Sequence, residues 1–286
     1  MSSPTNTRRR SCWTVTAVQM TSTGDVRRNL ARAERWVRKA AGAGADLVAL
    51  PENFARVVAE GTPVTYRQSL DGELVGCFGA IAREHGCRVL LGSIPEKRSR
   101  SRRIHNTSVL LAPDGSIEGV YRKMHLFDID IPGGAVFRES KTVQPGGQPV
   151  VVPTPLGRLG LSICYDLRFP ELYRALVRAG AEVMFVPAAF TAYTGRFHWL
   201  ALLRARAIEN QCWVVAPAQV GRHSTKRRSH GETVVIDPWG QVVACRKAGE
   251  GLVTAAIDLD RIREVRRGLP CLRHVRAELL PDLAGL

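Results

Sequence analysis

An apolar run, Leu159-Gly160-Leu161-Ser162-Ile163, stops abruptly at Cys164, and Pro170 then opens a helical pattern through Leu172, Tyr173 and Leu176. Proline suits a first helical turn because the N–H it lacks would have no partner there anyway. The segment therefore reads as strand, sharp turn, helix, with a thiol at the turn. A turn of that kind can present a nucleophile to solvent and aim free backbone N–H groups at a developing negative charge. The bland alternative is a buried structural cysteine, since free Cys is among the most buried residue types. This segment alone leaves both readings open.

The rest of the chain alternates strand and helix patterns. Trp13 to Met20 reads as a buried strand, and Arg27 to Ala41 as an amphipathic helix with Leu30, Ala33, Val37 and Ala40 on one face. Asp46 to Leu50 and Arg88 to Ile94 are strands. Between them Glu73 to His85 is a helix that Gly86 stops. Thr107–Ala112 and Ser116–Arg122 flank Pro113-Asp114-Gly115 as a hairpin. Pro155-Leu156-Gly157 and Pro238-Trp239-Gly240 mark further turns. Arg196 to Glu209 reads as a helix and Cys212 to Gln219 as a strand, and Leu259, Ile262 and Val265 give a last helix a narrow apolar face. Hairpins joined to helix-bearing units predict mixed sheets in an α/β fold. The Gly- and Pro-rich stretch from Phe127 to Pro149 is expected to be a long ordered loop over the site.

Two other strand ends carry chemistry. Leu47-Val48-Ala49-Leu50-Pro51 is followed by Glu52, and the run through Val120-Tyr121-Arg122 by Lys123. A thiol needs a base to remove its proton, and an acyl-transfer intermediate carries an oxyanion that a fixed cation or amide donor stabilises. Glu, Lys and Cys at three strand ends supply those parts. Taken singly, each charge also reads as a solvated residue just past a strand.

Leu50-Pro51-Glu52, Tyr121-Arg122-Lys123 and Cys164-Tyr165-Asp166-Leu167-Arg168-Phe169-Pro170-Glu171 together resemble the three signature blocks of the nitrilase superfamily of carbon–nitrogen hydrolases, in the same order. The likeness extends from about Trp13 to about Leu280 and includes Asp237-Pro238-Trp239-Gly240 and Leu203 through Glu209. It implies a four-layer α-β-β-α sandwich with two mixed sheets, assembled as a homodimer through the helices on the nucleophile's side. It also implies that Cys164 is the nucleophile, Glu52 the general base and Lys123 the stabiliser of the tetrahedral intermediate. The Tyr165 N–H would be a second oxyanion donor, and Glu139 would position substrate and Lys123. Arg168 and Asp166 could clamp a substrate carboxylate, though an ion pair that fixes the turn is the simpler expectation. His125 reads as structural.

The superfamily covers nitriles, several classes of amide and N-carbamoyl compounds. Phe190-Thr191-Ala192-Tyr193-Thr194-Gly195 and Trp199 through Gln211 are similar to its Nit branch. Within that branch Gln219 through Arg227 resembles the amidases of deaminated glutathione, which would make Phe190 and Arg222 candidate substrate contacts. The expected substrate is then a small anionic amide, cleaved through a thioester to 2-oxoglutarate and cysteinylglycine. An ω-amidase acting on 2-oxoglutaramate and an N-carbamoyl amino acid hydrolase are the alternatives within the family.

Composition excludes more than it assigns. The 286 residues, 45% of them hydrophobic, are ample for one sizeable core. No stretch approaches the roughly 18 uninterrupted apolar residues of a membrane span. Residues 1–11, polar and rich in arginine, read as a disordered leader without the apolar segment of a signal peptide, before a single domain over 12–286. Seven cysteines in no Cys-x-x-Cys pair suit a reducing cytosol, and seven histidines show no metal-ligand spacing. The expectation is a cytoplasmic enzyme with no metal and no organic cofactor. Lys+Arg 41 against Asp+Glu 26 gives a formal charge of +15. It is concentrated at 97–103, at Lys226-Arg227-Arg228 and at 261–267. These clusters lack interleaved aromatics or a nucleic-acid motif, so a solvated basic surface is favoured over a non-catalytic scaffold or nucleic-acid-binding role.

Overall fold

Alternate residues of a strand point to opposite faces of its sheet, and that rule sorts the apolar residues of the N-terminal half. Leu90 and Leu110 belong to one buried cluster, while Val89, Leu91, Val109 and Leu111 belong to another. A sheet apolar on both faces must be covered twice. One cover is the helix pair Val26–Gly42 and Glu73–His85, which adds Ala33, Val37, Phe78 and Ile81 to the second cluster. The other cover is a second sheet.

The structure is a computed structural model and describes residues 10–59, 61–99, 101–130 and 136–276. In spatial order the first sheet runs Gly251–Asp258, Cys12–Gln19, Leu47–Ala49, Arg88–Glu96, His105–Leu111 and Ile117–Arg122. The second runs Val242–Arg246, Thr233–Ile236, Trp213–Ala216, Val183–Phe185, Gly157–Leu161 and Val150–Thr154. Each sheet is mixed. Cys12–Gln19, Leu47–Ala49 and Arg88–Glu96 pair in parallel, as do Gly157–Leu161, Val183–Phe185 and Trp213–Ala216. Every other neighbour in the two sheets is antiparallel. Helices Pro170–Arg178 and Ala192–Asn210 cover the second sheet from outside, where Leu172, Leu176, Trp199 and Leu203 join the large cluster. The layers are thus α-β-β-α, as expected.

Local signals act where the sequence places them. Gly86 ends its helix in the left-handed conformation, at φ +62°, a region that glycine enters without a Cβ penalty. The Ala192–Asn210 helix starts a turn earlier than expected because the Thr191 side chain accepts the Thr194 N–H and caps it. In the two large sheets, two strands lie outside the sequence expectation, Val183–Phe185 and Gly251–Asp258. The second pairs along the whole of Cys12–Gln19, with Cys12 opposite Asp258.

The expected leader lies outside the described residues up to position 9. Arg10 and Ser11 are attached to the fold, against that expectation. The Arg10 N–H donates to the Pro155 carbonyl at 2.9 Å, Arg10 pairs with Asp46, and the Ser11 carbonyl accepts from Leu259 N. The stretch 127–149 carries, in its described part, a ribbon of Asp128–Asp130 against Val136–Arg138 and one 3-10 turn, Glu139–Lys141. Among the described residues no helix is long and apolar enough to cross a membrane.

Candidate active site

Three backbone devices bring three strand ends to one point. After the strand Leu47–Ala49, the chain crosses over Gly92, where a Cβ would stand 2.0 Å from the Leu50 carbonyl oxygen and 2.5 Å from that of Pro51. Only glycine lets the two segments approach that closely. Asn53 then turns at φ +54°, with its N–H on Ser93 Oγ at 2.9 Å, and Glu52 is left facing inward. Lys123 follows the strand Ile117–Arg122, its N–H held by the Asn106 carbonyl at 2.9 Å. Cys164 leaves the strand Gly157–Leu161 at φ +49°, a left-handed conformation costing of order 1–3 kcal/mol for a residue with a side chain. It begins the 3-10 turn Cys164–Arg168, and its own N–H donates to the Pro187 carbonyl at 3.0 Å.

Lys123 and Glu52 are buried, at 2% and 3% exposure, so their charges must be matched locally. Lys123 Nζ donates to Glu52 Oε1 at 3.2 Å and to Glu139 Oε2 and Oε1 at 2.9 and 3.2 Å. Glu52 Oε2 accepts the Ala189 N–H at 2.8 Å, and Glu139 Oε2 accepts the Phe127 N–H at 2.7 Å. The Cys164 thiol lines the same pocket as Glu52 and is coupled to its carboxylate electrostatically.

These contacts set the protonation states. Burial alone would raise the Glu52 pKa, but the Lys123 charge, the neighbouring Cys164 thiol and the Ala189 N–H outweigh it and hold the carboxyl below its usual range. Burial would likewise lower Lys123, yet the Glu139 and Glu52 carboxylates drive it upward. Burial and the Glu52 charge push the Cys164 thiol well above its ordinary value, against the pull of Lys123. The resting site is a neutral thiol beside a carboxylate and an ammonium, arranged for proton transfer as the sulfur attacks.

The site opens into a pocket of about 310 Å³. Glu52, Lys123, Glu139 and Cys164 line its floor, and Tyr165, Phe190 and Phe137 contribute aromatic wall. Arg56, Arg138, Lys141 and Arg227 add positive charge around it.

A family model described as carbon-nitrogen hydrolase matches residues 14–267. The chain belongs to the carbon–nitrogen hydrolase family. It is accordingly a hydrolase acting on carbon–nitrogen bonds other than peptide bonds. It is 44% identical over 261 residues to a protein of Synechocystis named deaminated glutathione amidase, covering 90% of this chain and 96% of that protein. A human protein of the same name is 44% identical over 276 residues, covering 95% of this chain and 83% of its own length. Among solved structures, Saccharomyces cerevisiae Nit3, described as a member of branch 10 of the nitrilase superfamily, superposes with a TM-score of 0.81 at 30% identity, over 92% of this chain and 96% of that one.

In this carbon–nitrogen hydrolase two candidate substrate contacts are not brought to the pocket. Arg222 is exposed at the end of the strand Val220–Arg222, paired across the hairpin with Arg228. The turn of that hairpin sends Arg227 to the pocket instead, with Nη1 on the Val58 carbonyl at 3.1 Å. Arg168 lies behind the wall. Its guanidinium sits 5.1 Å over the Phe190 ring and 5.7 Å over that of Tyr165, with Nη1 at 3.2 Å from His198 Nδ1. The expected Arg168–Asp166 pair does not form, because wholly buried Asp166 turns inward to Tyr121, His125 and the Ile163 N–H. His125 holds that turn, with its ring stacked on Phe169 at 3.7 Å. Asn106, unmarked by any motif, is in the site itself. An asparagine in a strand carries no sequence signal of that role.

Proposed function

We propose that this hydrolase is a cysteine-dependent amidase that cleaves deaminated glutathione into 2-oxoglutarate and cysteinylglycine. The observation that carries the chemistry is the Lys123 ammonium held between Glu52 and Glu139, with the Cys164 thiol in the same pocket.

Glu52 takes the thiol proton as Cys164 Sγ attacks the amide carbon. The carbonyl electron pair moves to oxygen, where the Lys123 ammonium and the Tyr165 N–H stabilise it. The first amides of a helical turn have no acceptor within it, so Tyr165 N–H is available for that role. Losing one such donor costs about 3 kcal/mol in the barrier. The oxyanion collapses, the C–N bond breaks, and Glu52 returns the proton to the departing amine. Water then gives a proton to Glu52 and attacks the thioester. The C–S bond breaks, and the sulfur recovers that proton as 2-oxoglutarate leaves.

The substrate assignment rests on the names of the relatives and on pocket charge. Deaminated glutathione bears an α-keto carboxylate at one end and a glycine carboxylate at the other, and Arg56, Arg138, Lys141 and Arg227 surround the aromatic-walled floor. We further propose a homodimer in the cytoplasm. The deciding experiment is hydrolysis of deaminated glutathione and 2-oxoglutaramate side by side, wild type against Cys164→Ala. A preference of about 100-fold for the former, roughly 2.7 kcal/mol in transition-state binding, supports the assignment. The reverse preference makes the enzyme an ω-amidase. No turnover of either sends the substrate search to carbamoyl compounds.

A further inference from the structure

Asn106 is 4% exposed, in the strand His105–Leu111 beside the one that delivers Lys123. Its side-chain nitrogen donates to Glu52 Oε1 at 2.9 Å and to Glu139 Oε1 at 3.3 Å. Lys123 Nζ donates to the same two oxygens, each at 3.2 Å. Two donors and two acceptors thus alternate around a closed ring. Asn106 also binds Lys123 through the backbone, its carbonyl accepting the Lys123 N–H at 2.9 Å.

The amide holds this orientation at a disadvantage. Asn106 Oδ1 is buried and has no hydrogen-bond partner among the described residues, which a native interior rarely tolerates. Turning the amide over would point that oxygen at two carboxylate oxygens. The carboxylates therefore dictate the orientation, and a side chain serving packing alone would not leave its carbonyl unmatched.

We infer that Asn106 is a positioning residue for the reaction, its two N–H groups joining Lys123 in keeping Glu52 and Glu139 side by side and Glu52 aimed at the Cys164 thiol. This rests on the roles proposed for Glu52 and Cys164. The ionisable groups facing Glu52 are Lys123 and Cys164, with Glu139 across the ring. One ammonium cannot neutralise two carboxylates, and the amide dipole supplies the rest of the stabilisation. Without it the repulsion favours protonating Glu52, which removes the base in mild acid.

The test follows alkylation of Cys164 by iodoacetamide against pH, read as label on the Cys164 peptide by mass spectrometry. It compares wild type, Glu52→Gln, Asn106→Leu and Asn106→Ser, each checked for a cooperative thermal transition. Glu52→Gln should abolish the acid limb of the wild-type profile. Asn106→Leu should move that limb up by about one pH unit and slow labelling at pH 6 about 10-fold. Asn106→Ser keeps one donor and should fall between, which preserves the comparison if the leucine variant fails to fold. On deaminated glutathione the variants should lose kcat with KM within about twofold of wild type. An acid limb abolished by Glu52→Gln but unmoved in both Asn106 variants overturns this inference alone. A profile that Glu52→Gln leaves unchanged overturns the proposed base, and the positioning role with it.

Discussion

Tyr121 donates its phenol hydrogen to Asp166 Oδ2 at 2.7 Å, tying the strand that delivers Lys123 to the turn that delivers Cys164. Tyr121 belongs to a strand of the first sheet and Asp166 to the 3-10 turn that follows a strand of the second, and both are wholly buried. Asp166 also accepts the Ile163 N–H at 2.9 Å, the His125 N–H at 3.0 Å and a bond from His125 Nδ1 at 2.7 Å. One carboxylate thus sets the spacing between the proposed nucleophile and cation without entering the pocket. Tyr121→Phe removes one of its donors and keeps the ring. The expected loss is about 2 kcal/mol by urea unfolding, with a lower kcat. An unchanged kcat would show that the turn holds Cys164 without this tie.

Lys123→Ala leaves buried Glu52 and half-buried Glu139 as carboxylates with no cation between them. The expected loss is about 3–5 kcal/mol of stability, together with activity. Adding Glu139→Gln to that variant should restore part of the stability and none of the activity. Denaturant unfolding of the single and double variants checks this, and equal stability of the two would refute it.

His223 is buried, donates from Nδ1 to the Ser22 carbonyl at 2.7 Å and meets Ser229 Oγ through Nε2 at 2.8 Å. Burial is the main cause that lowers its pKa to about 4, from 6.5 in the unfolded chain, with Arg227 adding to it and the Ser22 bond opposing. Between those values the unfolded chain binds the extra proton, so stability is full above pH 6.5 and declines as pH falls toward 4. From pH 7 to 4.5 the decline attributable to this residue is about 2.5 kcal/mol. His223→Gln keeps a donor and an acceptor but cannot titrate. Its stability should fall by that much less than wild type over the same range, as read by urea midpoints at the two pH values.

Arg227 lines the pocket and Arg222 does not. A hydrogen bond to a charged group contributes about 1.5–3 kcal/mol, so Arg227→Ala should raise KM for deaminated glutathione about 10-fold or more. Arg222→Ala should leave it within about twofold. Steady-state kinetics on the pair decides which end of the basic loop meets substrate, and the opposite ranking would restore Arg222.

Much of this molecule is written in short windows. The strand before Cys164, the proline that starts the next helix, the Gly86 stop and the Pro113-Asp114-Gly115 turn each depend on backbone preferences within a few residues. Strand pattern likewise puts Glu52, Lys123 and Cys164 at strand ends. The resemblance, not the pattern, named them as one set. The strands Val183–Phe185 and Gly251–Asp258 escaped because their partners lie far off in the chain, where a window of sequence holds no trace of pairing.

By itself, then, the sequence determined the local elements, an α/β fold with mixed sheets, and the residue types available for thiol chemistry. Only the tertiary structure decided which side chains share the site. It put Asn106 between two carboxylates, turned Asp166 away from Arg168 and toward Tyr121, and exchanged Arg222 for Arg227. Hydrogen bonding along a strand or around a turn is settled by near neighbours. The meeting of two sheets is settled by packing and charge compensation between residues tens of positions apart, and those forces exist only once the layers are together.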